Sequence, residues 1–172
     1  MGEPSRHADS RGIVESILRK IPGFRGYLEK EYRRESDHLA RTWLADLVSK
    51  CKSSLDRFQR ALLDAGKIDA LDDCERVRTR LDTLASRIRG AVRGYSGFFD
   101  FVRVDEDMLD DVYDLDMSMI GQIESVEASI DELSPDDESP EQSLARVLAE
   151  VEGLHREFDK RSELLEGLRR AD

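Results

Sequence analysis

The chain has 172 residues, enough for one domain or one compact bundle with a short arm. Charged residues make up 38% and aromatics only 6%, the balance of long amphipathic helices with wetted outer faces. A net charge of −11 excludes a general nucleic-acid binder, and no apolar run nears the roughly 20 residues that span a bilayer.

The opening residues, MGEPSRHADSRG, are polar, so residues 1–10 are expected to be disordered and carry no secretory signal. The expected location is the cytoplasm, with room for peripheral contact at the inner membrane face. A short amphipathic helix follows from residue 11, with Ile13, Val14, Ile17, Leu18 and Ile21 apolar and Arg11, Arg19 and Lys20 around them. Pro22-Gly23 ends it, and Phe24-Arg25-Gly26 leads onward. The second helix is predicted over 27–65, with a stripe of Leu28, Tyr32, Glu35, Leu39, Trp43, Leu47, Cys51, Leu55, Phe58 and Leu62. Gly66 stands where a helix-ending glycine belongs.

The third helix follows Asp69, its stripe being Leu71, Cys74, Val77, Leu81, Leu84, Ile88 and Ala91. Cys51 and Cys74 fall roughly 13 Å apart along the axis of this hairpin, too far for a disulfide, and are expected as small buried or half-buried residues. The helical pattern then stops without turning polar at Arg93-Gly94-Tyr95-Ser96-Gly97-Phe98-Phe99-Asp100-Phe101-Val102. Two glycines break the helix while aromatics crowd the break, so Phe98 and Phe99 are expected to pack near Tyr32 and Trp43. The fourth helix starts near Asp105 and carries Leu109, Val112, Asp116, Met119, Ile123, Val126, Ile130 and Leu133. Residues 134–140 form a linker with two prolines, and 141–172 a last helix packing on the same bundle through Leu144, Leu148, Val151, His155, Phe158, Ser162, Leu165 and Leu168. The fold expected is all-α: residues 11–133 and the last helix form an elongated antiparallel bundle of four long helices plus the short N-terminal helix.

Three runs carry a family resemblance. They are Ile21-Pro22-Gly23-Phe24-Arg25-Gly26-Tyr27 with the charged Glu29–Glu35 after it, Gly94-Tyr95-Ser96-Gly97-Phe98-Phe99-Asp100, and Leu109-Asp110-Asp111-Val112-Tyr113-Asp114-Leu115-Asp116. Together they resemble an uncharacterised family of bacterial helical proteins over roughly residues 21–133. The resemblance implies a companion of SPFH (band-7) membrane-scaffold proteins, with no assigned activity and therefore no mechanism.

Among chemical candidates, Glu35/His38 and Glu152/His155 form two Glu-x-x-His spacings, the pattern of ferritin-like di-metal bundles. Register opposes a shared site, because the two pairs fall at levels differing by roughly 20 Å. No metal and no cofactor is expected, and no catalytic residue is assigned. Val104–Ala145 contains no Lys or Arg between its ends and many carboxylates, a solvated face or a docking surface for a basic partner. The arginines Arg76, Arg78, Arg80, Arg87, Arg89 and Arg93 are complementary in sign to it. Asp116 falls on an apolar stripe and needs a partner there; Arg87, at a similar level on the third helix, is the candidate unless the stripe rotates and Asp116 reaches water.

The function expected is that of a non-enzymatic interaction protein with a protein partner, using the aromatic segment (Tyr95, Phe98, Phe99, Asp100), the acidic helix or both. Homo-oligomerisation through amphipathic helices is compatible with the pattern. A ferritin-like metalloprotein and a peripheral membrane binder acting through residues 11–25 are the alternatives.

Overall fold

The computed structural model describes residues 4–91 and 106–167, with side chains over 12–29, 31–91 and 108–165. The aromatic segment with Tyr95, Phe98, Phe99 and Asp100 lies outside the described residues. Five α-helices and no strand occur among the described residues: α1 (Pro4–Lys20), α2 (Lys30–Asp64), α3 (Leu71–Gly90), α4 (Glu106–Asp131) and α5 (Pro140–Gly167). The all-α bundle expected from the sequence is the fold observed.

The helix ends follow from local chemistry. After α2, Gly66 adopts φ +71° and the chain closes with Lys67 N–H on Leu62 O at 2.9 Å and Gly66 N–H on Leu63 O at 3.1 Å, the two bonds of a Schellman turn. Ser139 caps α5, its Oγ accepting Gln142 N–H at 3.4 Å, with Pro140 in the first helical position. The linker expected over 134–140 therefore yields Pro140 to the helix. α1 begins at Pro4, within the stretch expected to be disordered; proline suits a first helical turn, and the helix runs on through Gly12 to Lys20.

Ion pairs and side-chain hydrogen bonds mark the arrangement of the four long helices. α2 and α3 run antiparallel, with Arg78 Nη2 on Asp56 Oδ1 at 2.5 Å and Lys52 on Asp82. α4 and α5 run antiparallel, with Ser118 Oγ on Glu157 Oε1 at 2.9 Å and Ser129 Oγ on Glu150 Oε1 at 3.1 Å. The two hairpins lie side by side, α2 along α4 and α3 along α5, while α3 and α4 occupy opposite corners. This layout corrects one expectation. The α3 arginines do not neutralise the acidic helix; Arg78 and Arg89 pair with α2 and Arg80 and Arg87 with α5, because α4 is diagonal to them.

The core is apolar through most of its length, from Leu44, Val48, Cys51, Leu55 and Leu62 on α2 to Val147, Val151, Leu154 and Phe158 on α5. Cys51 and Cys74 are both buried and free. α1 lies on α4 with Ile17 and Ile21 fully buried and Ile13 and Val14 partly so. Of the apolar face that a membrane binder would offer, Ile17 and Ile21 are thus turned onto protein, Ile13 and Val14 are half-covered and Leu18 is exposed.

Candidate functional site

At the end of the bundle where α2 begins, the core turns polar. Arg33, Ser36, Asp37 and Arg41 of α2, Asp116 of α4 and Arg161 of α5 are all buried, Arg161 with no exposed surface. Glu35, placed inward by the sequence pattern, is exposed, and so is His38. The buried face of α2 is rotated by about one residue from the predicted stripe over this stretch: Leu39 and Trp43 border the core, and Asp37, Ala40, Arg41 and Leu44 face it.

Arg161 is the hub. Its Nε donates to Asp116 Oδ1 at 2.6 Å and its Nη2 to Asp37 Oδ1 at 2.8 Å. The other oxygen of Asp37 accepts from Arg41 Nε at 2.7 Å, and the other oxygen of Asp116 from the Tyr27 hydroxyl at 2.7 Å. Arg41 turns its Nη1 to the last carbonyls of α3, Arg89 O at 3.1 Å and Ile88 O at 3.3 Å, where a cation is favoured by the helix dipole. Within this hub two arginines and two aspartates balance and each carboxylate oxygen named has a donor, while the third buried arginine, Arg33, adds one further cation. Burying these charges is tolerable only on that condition.

The network also holds the segment between α1 and α2. Tyr113 Oη accepts Tyr27 N–H at 2.6 Å, while Arg33 Nε donates to Tyr27 O at 2.6 Å and Nη2 to Leu28 O at 3.2 Å. Phe24, Tyr27 and Tyr113 form one aromatic cluster, with Phe24 meeting Tyr27 edge-on at 5.3 Å and Tyr27 lying 5.0 Å from Tyr113. Gly26 makes this approach possible: its φ is +88°, and a Cβ there would stand 2.7 Å from the Tyr113 hydroxyl. Burial, and then the Asp116 carboxylate, push Tyr27 well above the ordinary phenol range, so it is a fixed donor. Burial raises Tyr113 likewise.

Asp116 is therefore buried and paired, but with Arg161 and Tyr27 rather than Arg87. Arg87 was estimated at nearly the right level but stands on the wrong corner. It pairs with Asp159, and its Nη1 donates to His155 Nδ1 at 3.0 Å while the guanidinium covers the Phe158 ring. His155 Nε2 faces Arg80 O at 3.0 Å, the geometry of a neutral ring carrying its proton on Nε2. Burial holds His155 below the ordinary histidine range, and the two neighbouring arginines reinforce this. Glu152 is held in a bidentate pair by Arg80 at 2.5 and 2.7 Å, which lowers its carboxyl. With both ring nitrogens of His155 engaged, Glu152 clasped and Glu35 and His38 outside, these four residues do not converge. No cluster of three or more metal-ligating side chains occurs among the described residues.

Two of the three runs that carry the family resemblance meet in this network, Phe24, Gly26 and Tyr27 from the first, Tyr113 and Asp116 from the third. Asp37, Arg41 and Arg161 were missed, since a hydrophobic pattern places charged residues outward by construction. Their spacing was the available signal: stepping back from Cys51 through Val48 and Leu44 by threes and fours lands on Arg41 and Asp37. No protein-family model, curated protein or solved structure matches the chain.

Proposed function

We propose that this chain is a non-enzymatic helical interaction protein, a cytoplasmic companion of a membrane-associated SPFH-type scaffold. The observation that carries this reading is that the buried charges at this end of the bundle are all engaged, the two aspartates by Arg161 and Arg41, and the third buried arginine, Arg33, by the backbone carbonyls of Tyr27 and Leu28. Asp37, Asp116, Arg41 and Arg161 close a balanced set, and Tyr27 and His155 are each fixed in one protonation state by their partners. A catalytic centre needs at least one group left to exchange a proton or bind a metal. Here the arrangement supports a clasp that joins α2, α4, α5 and the Phe24–Tyr27 link, leaving long helical surfaces for contact.

The partner class follows from the resemblance of the three runs, two of which build this clasp. Neither alternative gains support from a specific observation: His155 has no lone pair to give a metal, and Ile17 and Ile21, the centre of the apolar face of the arm, are buried against protein. No described helix is long and apolar enough to cross a membrane. The test is cross-linking in the native host followed by affinity purification and mass spectrometry. An SPFH-type protein recovered in near-stoichiometric amount supports the proposal. Recovery of the folded protein alone, from cross-linked membranes that contain such scaffolds, overturns it.

A further inference from the structure

Besides its apolar packing, the N-terminal arm makes polar contact with α4 at two places among the described residues. At one, Tyr27 N–H and Gly26 sit against Tyr113; at the other, Lys20 Nζ lies 2.5 Å from Glu124 Oε1. Residues 113 and 124 are about 16 Å apart along α4. Met117 and Ile120 lie between them on the same face by the 113, 117, 120, 124 spacing, Ile120 buried and Met117 packed against the core. This stretch of α4 is therefore an apolar strip ending in a carboxylate, within a helix whose described sequence, Met108 to Asp131, has no basic residue.

α1 answers that chemistry closely. With Ile21 just beyond its end, it offers Ile13, Val14 and Ile17 on one side and ends in Arg19 and Lys20. Its attachment is uneven. Ile17 and Ile21 are sealed, Ile13 and Val14 only half so, and Gly12, Glu15, Leu18 and Arg19 face water. Behind it, Gly23 takes φ +81° in the turn that precedes the clasped Tyr27. Over its described side chains α1 is held along one edge with an exposed ion pair at its end, and such a helix, hinged next to a fixed anchor, can swing away while the bundle stays closed.

We infer that the face of α4 beneath α1 is a docking groove for a basic amphipathic helix of a protein partner, and that α1 occupies it as an internal stand-in. This rests on the interaction reading above and names the partner's chemistry: a helix with an isoleucine-like apolar edge and a cation placed to meet Glu124. α1 sets the threshold, since a partner helix must displace it.

The probe is a fluorescein-labelled peptide of residues 4–21, titrated by anisotropy against the full chain. The arm is loosened by Ile17→Asp and, more gently, by Lys20→Glu, with circular dichroism confirming the bundle. The peptide is expected to bind the Ile17→Asp chain at least about tenfold tighter than the parent. It should bind the Lys20→Glu chain about two- to fivefold tighter, as loss of one exposed ion pair allows. Adding Glu124→Lys to either variant should reverse the gain. If neither variant binds the peptide better than the parent, or Glu124→Lys leaves the gain intact, the groove is refuted. Transfer of the Lys20→Glu chain to phosphatidylglycerol vesicles without gain in peptide affinity also refutes it, assigning the freed arm to lipid. Peptide binding with no SPFH-type protein recovered from the host leaves the groove standing and removes only the scaffold assignment.

Discussion

Replacing Arg161 by methionine isolates what the buried clasp contributes. The guanidinium is fully buried and bridges Asp116 at 2.6 Å and Asp37 at 2.8 Å. Without it, Asp37 keeps Arg41 at 2.7 Å, but Asp116 retains only the Tyr27 hydroxyl and becomes a buried carboxylate lacking its cation. Breaking one side of a buried pair costs about 3–5 kcal/mol. For a chain of this length each kcal/mol moves the melting midpoint by about 2–4 °C, so Arg161→Met should melt about 6–20 °C below the parent. Urea unfolding followed by circular dichroism at pH 7 gives the free energy directly. Adding Asp116→Leu removes the stranded charge, and the double variant should recover more than half of the loss. A single variant within about 1 kcal/mol of the parent, or a double variant no better than Arg161→Met, would show that the pair is not the constraint inferred from its geometry.

Three further outcomes follow from the same structure. Burial holds His155 neutral, so the unfolded chain takes up a proton near pH 6.5 before the folded chain does; stability should fall as pH drops below about 6.5, and His155→Gln should flatten that slope in urea midpoints taken from pH 7.5 to 5. Gly66→Ala should cost about 1–2 kcal/mol for its positive φ alone, whereas Gly26→Ala also drives a methyl against the Tyr113 hydroxyl and should cost about 1 kcal/mol more; equal losses would contradict the close approach at Gly26. Burial pushes the Cys51 thiol to about 12 and Cys74 to about 11, so both should react with Ellman's reagent at pH 8 only as fast as the protein opens, and rapid labelling of either would contradict its placement.

The apolar periodicity of the chain was enough to read five helices, the two hairpins and the inward positions of α3. Leu81, Leu84 and Ile88 are buried as their spacing implies, because a uniformly apolar stripe has one way to face a core. The first third of α2 was misread for the opposite reason. There the buried face is built from Arg33, Asp37 and Arg41, and the pattern of Tyr32, Leu39 and Trp43 beside it follows the edge of the seam. Asp116 was legible as an inward charge, since its neighbours on the stripe are apolar. Its partner was not, because the choice between Arg87 and Arg161 depends on which helices share an edge, and length and period do not encode that arrangement.

The most direct measurement of the central claim, that the clasp holds the protein together and does no chemistry, is partner recovery by a chain whose clasp has been made partly apolar. Tyr27→Phe, Asp116→Leu and Arg161→Met together remove one charge pair and its hydroxyl while leaving Asp37 with Arg41, so the net charge of the core is unchanged. Cross-linked and purified from the native host, this triple variant is predicted to fold and to recover the same partner in the same yield as the parent. A triple variant with parental helicity and a cooperative melt that has lost the partner would contradict the claim and make the buried network itself the functional element.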